Sequence, residues 1–190
     1  MRPGGTGTIR RVSDLEVRSL SADDITLVGE IDRSERVSSA YRVEAGALVR
    51  FDVDWDVPPW SPEGKGPHHV ESLIEFLRPI LEDGGVLLGA FRCDRLAGLG
   101  VVVPRFEPPM AWLAFLHVTR PERGRGVGTT LFEEAERCAR EAGATSMYVS
   151  ATPTGPTIDF YLARGCAPAT QPHPRLLAEE PEDVHLLTEW

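Results

Sequence analysis

The stretch AWLAFLHVTRPERGRGVGTTLFEEAERCAREAG, from Ala111 to Gly143, holds the turn on which the fold reading rests. From Ala111 to Val118 every residue but His117 is apolar, the pattern of a strand covered on both faces. From Val127 onward, Val127, Leu131, Ala135, Cys138 and Ala142 recur at three- and four-residue spacing. That spacing predicts a helix of about four turns with one buried stripe, and Gly143 ends it. The unit is therefore strand, short turn, helix.

The turn reads Arg123-Gly124-Arg125-Gly126-Val127-Gly128, followed by Thr129 and Thr130. Glycines at alternate positions remove side chains that would hold a ligand off the main chain, so successive amides can converge on an anion where the helix begins. Two arginines add positive charge there. The same glycines would also serve a tight strand-to-helix turn with no ligand. A P-loop is excluded because it needs a lysine before Ser or Thr, and Lys65 is the only lysine in the chain. The dinucleotide fingerprint needs GxGxxG, whereas these glycines fall as GxGxG.

The signature that fits is [QR]-x-x-G-x-[GA], met by Arg123, Gly126 and Gly128 after a strand ending in Leu116-His117-Val118. Here the chain resembles the GNAT superfamily of acyl-CoA-dependent N-acetyltransferases. The resemblance implies a mixed α/β fold: a twisted, mainly antiparallel central sheet with helices on both faces, splayed where acetyl-CoA enters. It further implies that the turn from Arg123 through Gly124, Arg125, Gly126, Val127, Gly128 and Thr129 holds the pyrophosphate of coenzyme A. Leu116, His117 and Val118 would pair with the pantetheine arm. A second segment, Ile158-Asp159-Phe160-Tyr161-Leu162-Ala163-Arg164-Gly165-Cys166, resembles the family's N-x-x-A-x-x-F-Y-x-x-x-G-F. Tyr161 then stands where a tyrosine protonates the departing thiolate, and Thr154 and Thr157 replace the usual asparagine and alanine. The hydroxyl of Thr154 can partly replace the asparagine toward the pantetheine.

A chain of 190 residues, 42% hydrophobic and 26% charged, is expected to fold as one domain with a single core. A tail over 1–14 would precede an acetyltransferase domain over 15–190, with an insertion around 45–67. No apolar run reaches membrane-span length and Met1-Arg2-Pro3-Gly4-Gly5 has no signal-peptide core, so the expected compartment is the cytoplasm, without a membrane partner. A net charge of −9 argues against a nucleic-acid partner. Cys93, Cys138 and Cys166 lie in expected elements, which reads as buried thiols rather than a disulfide or metal cage.

Leu15 to Leu20 alternates as a strand, and Ser21 with Asp23 and Asp24 starts a helix expected to run on through Glu35 and Tyr41, with Ile25, Val28 and Ile31 inward. The family resemblance places this helix on the acceptor side, making Glu30, Asp32 and Glu35 candidate substrate contacts. Between Leu48 and Trp60, Phe51, Val53 and Trp55 alternate with Asp52, Asp54 and Asp56. A hairpin or lid here would set Trp55 and Trp60 beside carboxylates, a combination suited to an ammonium group. An acidic edge strand that discourages aggregation accounts for the same pattern. His68 and His69 precede a helix carrying Val70, Leu73, Ile74, Leu77 and Leu81, and adjacent histidines without a metal-spaced partner give no zinc site. Val86 to Cys93 and Leu96 to Pro104 flank Asp94-Arg95 as a hairpin, Phe106 to Met110 is a proline-bearing loop, and Val184 to Trp190 closes the sheet.

The reaction so implied is acetyl transfer from acetyl-CoA to a primary amine, with a cationic small molecule as acceptor and a monomer or homodimer as the acting form. The amide of Val118 would polarise the carbonyl and Tyr161 would protonate the thiolate. The positions that carry a base in some relatives are Trp112 and Ala114 here. His117 faces away from them unless a bulge intervenes, so Glu30, Glu35 or Glu107 acting through water competes with it. Acetylation of a protein terminus or lysine, and a coenzyme A-binding module without catalysis, are the rival readings.

Overall fold

The structure is a computed structural model describing residues 10–12, 14–64, 66 and 68–190. Strands β1 (Arg10–Val12), β2 (Leu15–Leu20), β5 (Val86–Arg92), β6 (Arg95–Glu107), β7 (Met110–Val118), β8 (Ser146–Ala151), β9 (Ala167–Pro168) and β10 (Val184–Glu189) form one sheet in the order β1-β2-β5-β6-β7-β8-β10-β9. All its ladders are antiparallel except β7 with β8. This is the mixed, mainly antiparallel sheet expected of the sequence.

Helix α2 (Val127–Glu141) covers one face. Its stripe of Val127, Leu131, Phe132, Ala135 and Ala139 packs on Val102, Leu113, Met147 and Val149. Leu131 is wholly buried, and burial of such a side chain contributes about 1.5–3 kcal/mol. Helix α3 (Gly155–Leu162) joins this face through Ile158 and Tyr161. Helix α1 (Val70–Glu82) and a 3-10 helix (Ala22–Glu30) cover the other face, where Ile25, Val28, Leu77 and Leu81 meet Leu87, Leu99 and Val101. A short α4 (Pro174–Glu179) sets Leu176 against Trp112 and Tyr148 on that same face.

Several sequence expectations are corrected. The first helix stops at Glu30 rather than running through Tyr41, and Glu35 and Tyr41 lie on a strand, β3 (Glu35–Glu44). Local propensity is overridden where the chain is tied to the end of β7: the Asp32 amide donates to Thr119 Oγ1 at 3.1 Å, and the Arg120 amide donates to the Asp32 carbonyl at 2.8 Å. The insertion expected around 45–67 opens on a hairpin, one of the two forms expected of it: β3 and β4 (Ala47–Val57) make a separate two-stranded sheet. Its turn is Ala45-Gly46, both at positive φ, as a two-residue hairpin requires. The β5–β6 turn is likewise Cys93-Asp94, at φ 48° and 61°, rather than Asp94-Arg95. Cys93 is therefore exposed instead of buried, Cys138 is half-buried and only Cys166 is fully enclosed. Part of the expected tail, Arg10–Val12, is a strand paired with β2, whereas residues 1–9 lie outside the described residues.

The hairpin positions the site. Near its start, the Arg123 guanidinium donates to the carbonyls of Arg33 and Ser34. Further along, the Tyr41 amide donates to the Pro153 carbonyl at 2.8 Å, and the Tyr41 hydroxyl donates to Asp159 at 2.7 Å. Strand β3 thus runs from the C-terminal end of β7 to that of β8, across the gap between them. A Cβ at Gly155 would overlap Ser39 Oγ, so glycine there lets β3 seat on α3.

Candidate active site

Strands β7 and β8 pair only from Met110↔Ser146 to Leu113↔Val149, and beyond that point they separate. The break coincides with a bulge: Leu113 faces Val102 and Phe115 faces Val101, leaving Ala114 as the extra residue of β7. The Thr119 amide donates to Ala97 on the β6 side at 3.0 Å. Because amides alternate between the two edges of a strand, those of Val118 and Leu116 face the open gap.

The gap leads to the start of α2. Gly124 and Gly126 have φ of 72° and 84°, and a Cβ on either would meet nothing within 4 Å. Gly126 is the N-cap and supplies no side-chain cap. The first helical bond runs from the Thr130 amide to the Gly126 carbonyl at 3.0 Å, so the amides of Val127, Gly128 and Thr129 precede the first intrahelical acceptor. An uncapped 15-residue helix with open backbone before it suits an anion. Gly128 has a different reason: a Cβ there would lie 3.0 Å from Phe160 Cε2. The Arg123 side chain does not reach outward. Its Nε donates to the Val118 carbonyl at 3.1 Å and its Nη1 lies 3.5 Å from Glu35. Arg125 and Arg92 flank the turn, both held by Glu122 at 2.8 Å.

The bulge also decides the face of His117. Leu116 and Val118 pack on the α2 side, so His117 shares the opposite face with Trp112 and Phe115. It sits 5.0 Å from the Trp60 ring and 4.9 Å from Phe115. Arg33 lies over Trp60 at 5.2 Å and donates to the Pro58 carbonyl at 2.9 Å, which holds Trp60 in place. Burial, followed by the charges of Arg123 and Arg33, pulls the His117 pKa down to about 4. The imidazole is therefore an unprotonated hydrogen-bonding group at neutral pH. The unfolded chain takes up the proton near pH 6.5 and the folded chain only near 4, so stability falls as pH drops through that window. Substituting glutamine for His117 is expected to flatten the loss of melting temperature between pH 6.5 and 4, readable by thermal scans at each pH.

Of the other sequence candidates, Tyr161 is 5% exposed, with ring contacts to Phe160 at 5.0 Å and Phe132 at 6.0 Å. Burial and the neighbouring Cys166 push its pKa above the ordinary tyrosine value, keeping the hydroxyl protonated. Thr154 and Thr157 hydrogen-bond each other at 2.8 Å, so the two departures from the family pattern form one pair. Glu35 and Trp60 come together with His117 and Arg123, while Asp32 accepts from the Ser34 amide at 2.9 Å. Glu30 is exposed at the end of the 3-10 helix and Trp55 is 42% exposed on the hairpin. Asp54 pairs with Arg36 on an exposed face. Glu107 meets His173 at 3.0 Å, at the end of the β6–β7 ladder opposite the gap.

Sequence reasoning missed Arg164 and the cluster of Ser150, Glu180, Asp183 and His185. Arg164 stacks over Phe160 at 3.6 Å and donates to Thr129 Oγ1 at the start of α2, with its Nε buried and unpartnered. Its place in the Phe-Tyr segment was the available signal. Among the described residues no three His, Cys, Asp or Glu gather as a metal site would require, and no helix is long and apolar enough to cross a membrane.

The site is thus a sheet that opens beside an uncapped helix, with polar groups on one face of the opening. The model of the acetyltransferase (GNAT) family matches residues 52–166, and the chain belongs to that family. Membership makes it an acetyl-CoA-dependent N-acetyltransferase, with acetyl-CoA as the donor substrate. No curated protein matches the sequence. Among solved structures, nourseothricin acetyltransferase aligns with a TM-score of 0.69 at 19% identity, covering 93% of this chain and 99% of that one. A Bacillus anthracis protein described as a candidate streptothricin acetyltransferase, solved with acetyl coenzyme A, aligns at 0.69 and 16%, covering 94% and 99%. The PaiA N-acetyltransferase of Thermoplasma acidophilum, solved with coenzyme A, aligns at 0.61 and 18%, covering 94% and 100%. At these identities the likeness speaks to the fold.

Proposed function

We propose that the chain moves an acetyl group from acetyl-CoA directly to the primary amine of a small cationic molecule. The observation that carries this reading is the opening between β7 and β8, whose free edge runs to the uncapped amides of α2. The amides from Gly124 to Thr129 hold the pyrophosphate, with Arg164 and Arg125 beside it. Those of Leu116 and Val118 pair with the pantetheine arm and polarise the acetyl carbonyl. Tyr161, kept protonated by burial, is the proton donor to the thiolate. The unprotonated His117, framed by Trp60 and Phe115, receives a hydrogen bond from the incoming amine.

Support for a cationic acceptor comes from two neighbouring buried carboxyls, Glu180 and Asp183. Burial, and then Glu180 beside it, raise the Asp183 pKa to about 7, and burial raises that of Glu180 as well, a setting that a cation would relieve. The solved relatives named for nourseothricin and streptothricin are in keeping with that class. The acidic hairpin is a weaker source, because Asp54 is neutralised by Arg36. Replacing Asp52, Asp54 and Asp56 together with asparagine is accordingly expected to leave the Michaelis constant of a cationic amine within about twofold of wild type. A rise well beyond that would place the hairpin acids on the substrate.

The test is thiol release from acetyl-CoA across nourseothricin, polyamines, aminoglycosides and lysine- or amine-terminated peptides. Turnover of a small polyamine or antibiotic supports the reading. Turnover of peptides alone would replace it with protein acetylation.

A further inference from the structure

We infer that Ser150 and His185 form a proton relay that accepts the amine proton during acetyl transfer, with Ser150 the catalytic residue and His185 acting through it. The inference rests on the acetyltransferase reading above and adds residues which that reading leaves unused.

Position comes first. Val149 is the last residue of β8 paired with β7, so Ser150 is the first to border the gap. Met147, Val149 and Ala151 pack on the α2 side, which turns Ser150 to the face of Tyr148, Trp112 and His117. The two strands that frame the opening therefore each present one polar side chain on the same face: His117 from β7 and Ser150 from β8. His185 is the cross-strand partner of Ser150 on β10 and is only 5% exposed.

Hydrogen-bond direction comes second. His185 Nε2 lies 3.2 Å from the Glu180 carbonyl oxygen. A carbonyl only accepts, so Nε2 carries the hydrogen and Nδ1 is left with a bare lone pair. Ser150 Oγ lies 3.5 Å from that Nδ1, a long contact of the kind resting catalytic pairs show before substrate tightens them. The arrangement is a hydroxyl, an imidazole and an acceptor that fixes the imidazole's tautomer, which is the logic of an activated serine. The groups around His185 are the Tyr148 ring at 5.8 Å, Glu180 with Asp183 next to it, and His173 at the start of α4. The Glu180 carboxyl is a second acceptor for the Ser150 hydroxyl. Burial lowers the His185 pKa and the Glu180 carbonyl bond opposes that, so the ring is neutral at rest and free to take a proton.

The step balances as follows. The amine nitrogen bonds to the acetyl carbon and its proton passes to Ser150 Oγ, while the Ser150 hydroxyl proton passes to His185 Nδ1. The carbon–sulfur bond then breaks, its electron pair stays on sulfur, and the imidazolium returns its proton to solvent. No covalent acetyl-serine is formed.

Two measurements on the full chain test this. Nitrogen-15 NMR of His185 should show Nε2 protonated and Nδ1 bare at neutral pH; the opposite tautomer overturns the relay whatever the activity. Thiol release is then followed with nourseothricin as acceptor, or hydroxylamine where nourseothricin is refused. S150A is expected to lower kcat by about a hundredfold, the usual scale of a positioned proton acceptor, with both Michaelis constants within about twofold. S150T should recover most of that loss. H185F should match S150A, remove the acidic limb of the kcat profile, and add nothing in the double variant, since the two act as one unit. S150A turning over like wild type, or losses that multiply in the double variant, would overturn the relay and leave the acetyltransferase reading standing. A wild type that transfers to neither acceptor counts against the proposed acceptor class instead, and the tautomer still decides the relay.

Discussion

Tyr161→Phe is expected to lower kcat by about a hundredfold while acetyl-CoA affinity stays within about twofold. The tyrosine lies on α3, its ring packed between Phe132 and Phe160 in the core beneath α2. Phenylalanine keeps the ring and that packing, so the variant removes only the oxygen and its proton. Burial raises the tyrosine pKa, which keeps the proton available at any physiological pH. In the proposed role the hydroxyl would stabilise sulfur only as the carbon–sulfur bond breaks, so its loss would fall on rate rather than binding. Single-turnover rates with calorimetric affinity for acetyl-CoA separate the two. A variant with the wild-type rate would make Tyr161 a packing residue and leave thiolate protonation to solvent.

Gly126→Ala should weaken acetyl-CoA binding by about 1.5–3 kcal/mol for each charge-assisted hydrogen bond it displaces. A Cβ at this position meets no protein atom within 4 Å, so under the proposed reading any collision would be with the bound pyrophosphate. The φ of 84° also strains a non-glycine residue, and that effect must be separated from lost binding. Gly143 is the control, because it has φ 91°, nothing within 4 Å of its Cβ, and a place at the far end of α2. Gly143→Ala should lower the melting temperature comparably and leave affinity unchanged. Equal affinities for both variants in a folded protein would remove the pyrophosphate from this turn.

Much of the proposed donor side was legible because it is local. The glycine turn, the α2 stripe and the Phe160-Tyr161 segment each carry their meaning within a few residues, where dihedral needs and helical period are written directly in residue type. The acceptor side was less legible. Glu35 and Tyr41 were expected on a helix because Ser21 and Asp24 make a sound N-terminus, and indeed the hydroxyl of the N-cap Ser21 donates to the Asp24 carboxylate at 2.7 Å. What ends that helix is a contact 87 residues away, the Asp32 amide on Thr119. The exposed Cys93 shows the same limit: an apolar flank suggested a strand interior, and the left-handed pair Cys93-Asp94 turned it outward.

From the sequence alone came the strand, turn and helix of Ala111 to Gly143, the open backbone for an anion, and with them the fold family. Periodicity and glycine spacing are local properties, and the hydrophobic effect sorts them the same way wherever the segments land. Only the tertiary structure decided which side of β7 His117 occupies, since one extra residue at Ala114 reverses every side chain beyond it. Only the tertiary structure, too, brought Ser150 to His185 and Arg123 to the start of β3. Those pairs are 35 and about 90 residues apart, and their meeting depends on strand order and register rather than on either residue's neighbours.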